Sequence, residues 1–225
     1  MVRVKICGLR RAEDAAAAVA AGADALGFNF WKGTPRYISP AEVVRILENV
    51  PPTVLTVGVF VDEAPERVLD IAAETGLAAL QLHGSEPPEY LERLGSYVKI
   101  KAVKVGPDFQ PEQLSRYRSA SLFLLDGFVA GMVGGTGQTF DWSLAEKAKA
   151  HGKIILAGGL TPANVADAVR RARPWGVDVA SGVEEEPGKK DPRLIREFIQ
   201  AVRAAEPREA EQNSPLNLSS LSRGS

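Results

Sequence analysis

Short β-rich runs recur at near-regular intervals along this chain, each followed by an Ala/Leu/Glu/Arg-rich stretch with helical spacing, and that alternation leaves few folds open. The expected strands are Val2–Cys7, Ala25–Phe30, Thr53–Val61, Ala78–His83, Val98–Val103, Leu122–Asp126, Lys153–Ala157 and Val177–Ala180. Ser39-Pro40-Ala41-Glu42 is a capping box with proline at the first helical position. Thr161-Pro162 and Asp191-Pro192 repeat the cap-then-proline signal. Gly22, Gly76, Gly95 and Gly152 stand where helix C-caps are expected. Strict βα alternation demands parallel strands, and eight such units close more naturally into a (β/α)8 TIM barrel than into an open sheet. The fifth unit is weakest, with a short helix expected after Pro111. From Glu206 the chain turns polar and Ser-rich without periodicity. The expected organisation is therefore a single α/β domain over 1–205 and a disordered tail over 206–225.

With 225 residues, 45% of them hydrophobic, the chain can build the core such a barrel needs. A net charge of -1 gives no sequence-wide attraction to nucleic acid or to an anionic membrane. No apolar run reaches the roughly 18 residues of a membrane span, and the N-terminus lacks a signal-peptide core. With a single cysteine, these features lead to the expectation of a cytoplasmic protein.

Strand parity says which side chains enter the barrel. In the first strand Val2, Val4 and Ile6 form the apolar face toward the helices, which turns Lys5 and Cys7 inward. In the last strand Val177 and Val179 face out, sending Asp178 inward with Ala180. Barrel closure makes these two strands neighbours, so Lys5 and Asp178 are expected to meet as a buried ion pair. The same parity turns Gln81 with His83, and Leu124 with Asp126, to the inside. The lone Cys7 is either a small buried hydrophobe or a working group, and its place at a strand end before Gly8 argues for work.

The loops after the later strands carry the remaining signals. Asp126-Gly127 precedes the glycine-dense Gly131–Gly137, which matches neither a Walker A loop nor a dinucleotide fingerprint and reads as a lid or backbone cradle. Gly158-Gly159 after the seventh strand and Ser181-Gly182 after the eighth stand where such barrels hold phosphate on backbone N–H groups. Arg36, after the second strand, is either a surface arginine or a bidentate carboxylate grip. His83 is either a ligand-facing group or a hydrogen-bonded core histidine, and His151 reads as a helix C-terminal residue. No His/Cys/Asp cluster has metal-site spacing, so no metal is expected.

These segments resemble the phosphoribosylanthranilate isomerase family over nearly the whole chain to about residue 203. The resemblance is carried by KICGL at Lys5–Leu9, PRY at Pro35–Tyr37, QLHG at Gln81–Gly84 and LDG at Leu125–Gly127. It continues through GGTGQTFDW at Gly134–Trp142, LAGGL at Leu156–Leu160 and SGVEEEPGKKD at Ser181–Asp191. The chain departs at Ala180, where the family often has serine. The resemblance implies an Amadori rearrangement without cofactor, with Asp126 as general acid and Cys7 as general base. It also implies substrate contacts from Arg36 to the anthranilate carboxylate, from Gly158, Gly159, Ser181 and Gly182 to phosphate, and from His83 and Asp178. The implied partner is a phosphosugar-anthranilate, bound by a monomer or a homodimer. A nearby Lys5 cation is expected to favour the thiolate and to bring the Cys7 pKa below that of free cysteine. The rival readings are a histidine-pathway type of isomerase barrel and a non-catalytic phosphosugar-binding barrel.

Overall fold

The computed structural model describes residues 1–127 and 142–206. Eight parallel strands close into a barrel in chain order: β1 (Arg3–Cys7), β2 (Ala25–Asn29), β3 (Leu55–Phe60), β4 (Ala79–Leu82), β5 (Val98–Lys104), β6 (Leu122–Asp126), β7 (Ile154–Ala157) and β8 (Gly176–Val179). The seam pairs Lys5 with Asp178 and Val4 with Val177. Around it run α1 (Ala12–Ala21), α2 (Pro40–Leu47), α3 (Pro65–Thr75), α4 (Pro88–Glu92), α5 (Trp142–Ala148), α6 (Val165–Ala172) and α7 (Pro192–Ala205). The fifth connection is only a 3-10 turn, Pro111–Arg116, so the weak helical signal there reflects a real shortening. After β8 the chain adds a small antiparallel hairpin, β9 (Glu184–Glu186) and β10 (Lys189–Lys190).

Two apolar layers hold this arrangement. Val4, Ile6, Leu26, Phe28, Leu80 and Val177 pack outward against the helices. Val57, Ile100, Leu122, Leu124 and Ile155 fill the barrel itself. Each such side chain, taken fully from water, stabilises the fold by about 1.5–3 kcal/mol. Val4 and Ile6 lie in the outer layer while Lys5 lies within, as parity requires.

Local signals set the helix ends. Ser39 and Glu42 form the expected capping box at α2, and Asp191 accepts from the Arg193 and Leu194 N–H groups at α7. Gly22 and Gly76 close α1 and α3 in the left-handed region. Thr161-Pro162 does not start a helix. The Thr161 N–H donates to Asn164 Oδ1 at 2.8 Å, the segment folds into a turn, and α6 begins at Val165. Gly95 lies beyond the end of α4, whose C-cap is Arg93, and Gly152 follows a 3-10 turn with φ 152°, so neither is a left-handed α-helix cap. Glu206 accepts a hydrogen bond from the Val2 N–H and thereby joins the barrel's N-terminal end. Residues 207–225, expected as a tail, lie outside the described residues. Among the described residues no helix is long and apolar enough to cross a membrane.

Candidate active site

The C-terminal ends of the strands converge on a cavity of about 350 Å³, lined among others by Cys7, Arg36, His83, Asp126, Gly158 and Asp178. Gly159, Ala180 and Ser181 complete the side formed by the loops after β7 and β8. A second cavity of about 250 Å³ opens at the opposite end, but it is lined mainly by apolar residues such as Val57, Ile100 and Trp175. A third, of about 350 Å³ beside His83, is lined by Asp62, Lys101, Lys104 and Arg116. The first is the one that gathers the Cys7 thiol with the Asp126 and Asp178 carboxyls at the strand C-termini, where this architecture places chemistry.

Strand geometry positions the innermost layer. Lys5 Nζ donates to Asp178 Oδ1 at 2.8 Å across the β1–β8 seam, with side chains 4% and 8% exposed. Cys7 is buried at the end of β1 beside this pair. Opposite, His83 Nε2 lies 3.1 Å from Asp126 Oδ2, and Gln81 Nε2 lies 3.0 Å from His83 Nδ1. The loop that carries His83 is held from behind. Glu86 accepts from the N–H groups of Asp62 and Gly84, and Lys101 Nζ bridges Glu86 Oε2 at 2.6 Å and the Gly84 carbonyl at 2.8 Å.

Glycines supply close approach at two points. At Gly158, with φ 83°, a Cβ would stand 2.6 Å from Asp126 Oδ1; at Gly182 it would stand 1.9 Å from the Leu160 carbonyl oxygen. Gly158 thus lets the β7 loop lie against Asp126, and Gly182 lets the β8 turn pack onto the β7 loop. Gly182 itself is not in the cavity wall, whereas Gly158, Gly159 and Ser181 are.

A family model for N-(5'-phosphoribosyl)anthranilate (PRA) isomerase matches residues 4–201. The chain belongs to the N-(5'-phosphoribosyl)anthranilate isomerase family. It is 47% identical to the N-(5'-phosphoribosyl)anthranilate isomerase of Trichlorobacter lovleyi over 91% of this chain and 100% of that one. The crystal structure of the Thermotoga maritima phosphoribosyl anthranilate isomerase superposes with a TM-score of 0.85 at 46% identity, covering 91% of this chain and 100% of that one. Another phosphoribosyl anthranilate isomerase was crystallised with reduced 1-(o-carboxyphenylamino)-1-deoxyribulose 5-phosphate. It is 44% identical, with a TM-score of 0.81 and the same coverage.

Within this isomerase fold two expectations change. Burial pushes the Cys7 thiol above its ordinary pKa and Asp178 adds to the rise, while Lys5 and Lys190 oppose it without prevailing. The expected fall below free cysteine does not occur in the free site, because Lys5 is already neutralised by Asp178 and the thiol is dry. Arg36 lines the cavity but is not unengaged. Its Nε donates to Glu184 Oε1 at 2.8 Å and its Nη2 to Glu184 Oε2 at 2.6 Å.

Glu184 and Lys190 are the functional neighbours that sequence reading misses. Lys190 Nζ, fully buried, donates to Glu184 Oε1 at 2.8 Å and to the Ala180 carbonyl at 3.0 Å. Burial would raise the Glu184 carboxyl, but the hydrogen bonds from Arg36 and Lys190 outweigh it and hold the group below its usual range. A signal for this contact exists in EEEPGKK, whose Pro-Gly centre marks the β9–β10 hairpin that pairs Lys190 with Glu184. Among the described residues no group of three His, Cys, Asp or Glu side chains is gathered that could hold a metal ion.

Proposed function

We propose that the chain converts N-(5-phosphoribosyl)anthranilate into 1-(2-carboxyphenylamino)-1-deoxyribulose 5-phosphate, the Amadori step of tryptophan biosynthesis, with Asp126 as general acid and Cys7 as general base. The observation that carries the assignment of roles is that a carboxyl and a thiol, the one from β6 and the other from β1, line one cavity. Ring opening breaks the C1–O bond of the ribose while Asp126 gives its proton to the departing ring oxygen, leaving a protonated Schiff base. Cys7 then takes the C2 proton, and the C–H electron pair moves through C1 to the nitrogen, giving the enolamine that tautomerises to the ketone. The substrate's own nitrogen is the electron sink, so the route calls for no cofactor.

Lys5, Arg36 and Lys190 stand among Asp126, Asp178 and Glu184, so it is the placement of donors rather than a net charge that suits an anionic substrate. Arg36 uses Nε and one Nη2 hydrogen on Glu184, which leaves the outer Nη1 edge of its five-donor fork for the anthranilate carboxylate. Gly158, Gly159 and Ser181, on the β7 and β8 loops, are suited to the phosphate, with Gly182 permitting their approach. His83 and Asp178 complete the set, the first through Asp126 and the second through Lys5. All of these groups lie on one chain, whether the protein is a monomer or a homodimer.

Turnover of N-(5-phosphoribosyl)anthranilate by the wild type, Cys7→Ser and Asp126→Asn tests the reading. The wild type should turn over, and each variant should lose orders of magnitude in kcat while still binding the product analogue. A variant with near-normal kcat would remove its residue from the assigned role.

A further inference from the structure

Gln81 occupies an inward position of β4 and is 1% exposed, yet its Oε1 has no hydrogen-bond partner. Leucine would suit that barrel position without leaving a buried acceptor unmet, so the amide calls for another explanation. Its Nε2 lies 3.0 Å from His83 Nδ1. An amide NH2 group only donates, which makes Nδ1 the acceptor and puts the ring proton on Nε2. Nε2 in turn lies 3.1 Å from Asp126 Oδ2. The three side chains therefore form one line of hydrogen bonds, each donating toward Asp126.

Asp126 has two oxygens with different surroundings. Oδ2 is taken by His83, whereas Oδ1 lies over Gly158 at the cavity wall. We propose that Gln81 is a positioning residue for the isomerisation, holding His83 as the Nε2–H tautomer so that Oδ2 always accepts and Oδ1 is left as the oxygen that carries the transferable proton. This rests on the reading of Asp126 as the general acid. When the Oδ1–H bond breaks and its proton passes to the ribose ring oxygen, the electron pair stays on the carboxylate. The hydrogen bond from His83 Nε2–H then strengthens as that charge develops. With the opposite tautomer the ring would offer Oδ2 a lone pair, repelling the carboxylate at the moment it forms.

Only two histidines occur in the chain, so a His151→Gln background leaves His83 alone in a 15N NMR spectrum. The expected wild-type pattern is a protonated Nε2 and a bare Nδ1. In Gln81→Met and Gln81→Leu, neither of which can donate, the Nδ1–H form should become populated, with kcat lowered roughly 10- to 100-fold and KM little changed. Gln81→Glu, whose carboxylate accepts from Nδ1–H, should move His83 furthest from the wild-type pattern and lower kcat most. His83 remaining Nε2–H in folded Gln81→Met would overturn the proposal, and so would a changed tautomer with unchanged kcat. Failure of the acid assignment reads differently, because normal turnover in Asp126→Asn would remove it whatever state His83 adopts.

Discussion

The Arg36 guanidinium and the Glu184 carboxylate meet edge to edge through two hydrogen bonds, and Lys190 closes on the same carboxylate from the buried side. Glu184 thereby fixes the direction of the arginine fork before any substrate arrives, and its single negative charge is shared between two cations. A carboxylate reaching the outer edge of Arg36 meets a pre-oriented donor pair, which reduces the entropy lost on binding.

Arg36→Met should therefore act on binding more than on chemistry. A hydrogen bond to a charged group is worth about 1.5–3 kcal/mol, so KM should rise by roughly 10- to 100-fold, with a smaller change in kcat. Steady-state kinetics would check this, and an unchanged KM would place the substrate carboxylate elsewhere.

Acid should weaken the fold through Glu184 and Asp24. At Asp24 burial favours the neutral form, but hydrogen bonds from Arg3, the Val4 N–H and Arg203 outweigh it, so its folded pKa, like that of Glu184, is depressed. A depressed carboxylate contributes stability that is present above its unfolded pKa and lost as pH falls through the folded one. Thermal unfolding should thus be nearly flat from neutral pH down to about 5 and should fall steeply below about 4. Glu184→Gln should show a shallower decline, and an unchanged slope would contradict the assignment.

Much of this site is legible from the chain because strand parity is a two-state choice. Once Val4 and Ile6 face the helices, Lys5 and Cys7 must enter the barrel, and closure brings Asp178 beside them. Arg36 is different. Its partner lies 148 residues away on a hairpin, and a run of charges such as EEEPGKK gives no period that would separate a solvated face from a buried pair. The Cys7 shift also escapes sequence reading, since its sign depends on whether Lys5 has already spent its charge on Asp178. At Thr161 the cap-then-proline signal is present, but the residues after it fold into a turn and α6 begins only at Val165.

The raised thiol has a kinetic consequence. With Cys7 protonated in the free protein, iodoacetamide should react slowly at neutral pH and give an apparent pKa above the free-cysteine value of about 8.5. kcat/KM should rise with pH over the same range, because the base must first lose its proton. Substrate should protect the thiol. Rapid alkylation at pH 7 would mean that Lys5 and Lys190 outweigh burial after all.

Gly158→Ala should injure Asp126 without touching its chemistry. The new methyl would lie 2.6 Å from both Asp126 Oδ1 and the Gly127 nitrogen, on a backbone with φ 83° that alanine rarely adopts. A positive φ alone destabilises a non-glycine residue by about 1–3 kcal/mol. Both Tm and kcat should fall, and calorimetry alongside turnover would measure the two. A variant with normal kcat would show that Oδ1 is not the oxygen facing the reaction.

The buried Lys5–Asp178 pair sets the last expectation. Two opposite charges at 2.8 Å, nearly sealed from water, satisfy each other, but each becomes a liability alone. Lys5→Met leaves a bare carboxylate in the barrel and Asp178→Asn leaves an ammonium with a weaker partner, so the first should cost about 3–5 kcal/mol and the second somewhat less. For a barrel of this size each kcal/mol lowers Tm by roughly 2–4 °C. The double variant Lys5→Met/Asp178→Leu, which removes both charges and fills the space, should recover most of the loss. Activity should not follow stability, because Lys5 also opposes the rise of the Cys7 thiol. The double variant should therefore fold well while its kcat stays low. The alkylation pKa of Cys7 should rise most in Lys5→Met, which removes the cation and keeps Asp178, and less in the double variant, which removes both opposing charges. Additive losses in the double variant would mean that the two groups are stabilised separately by their surroundings rather than by each other.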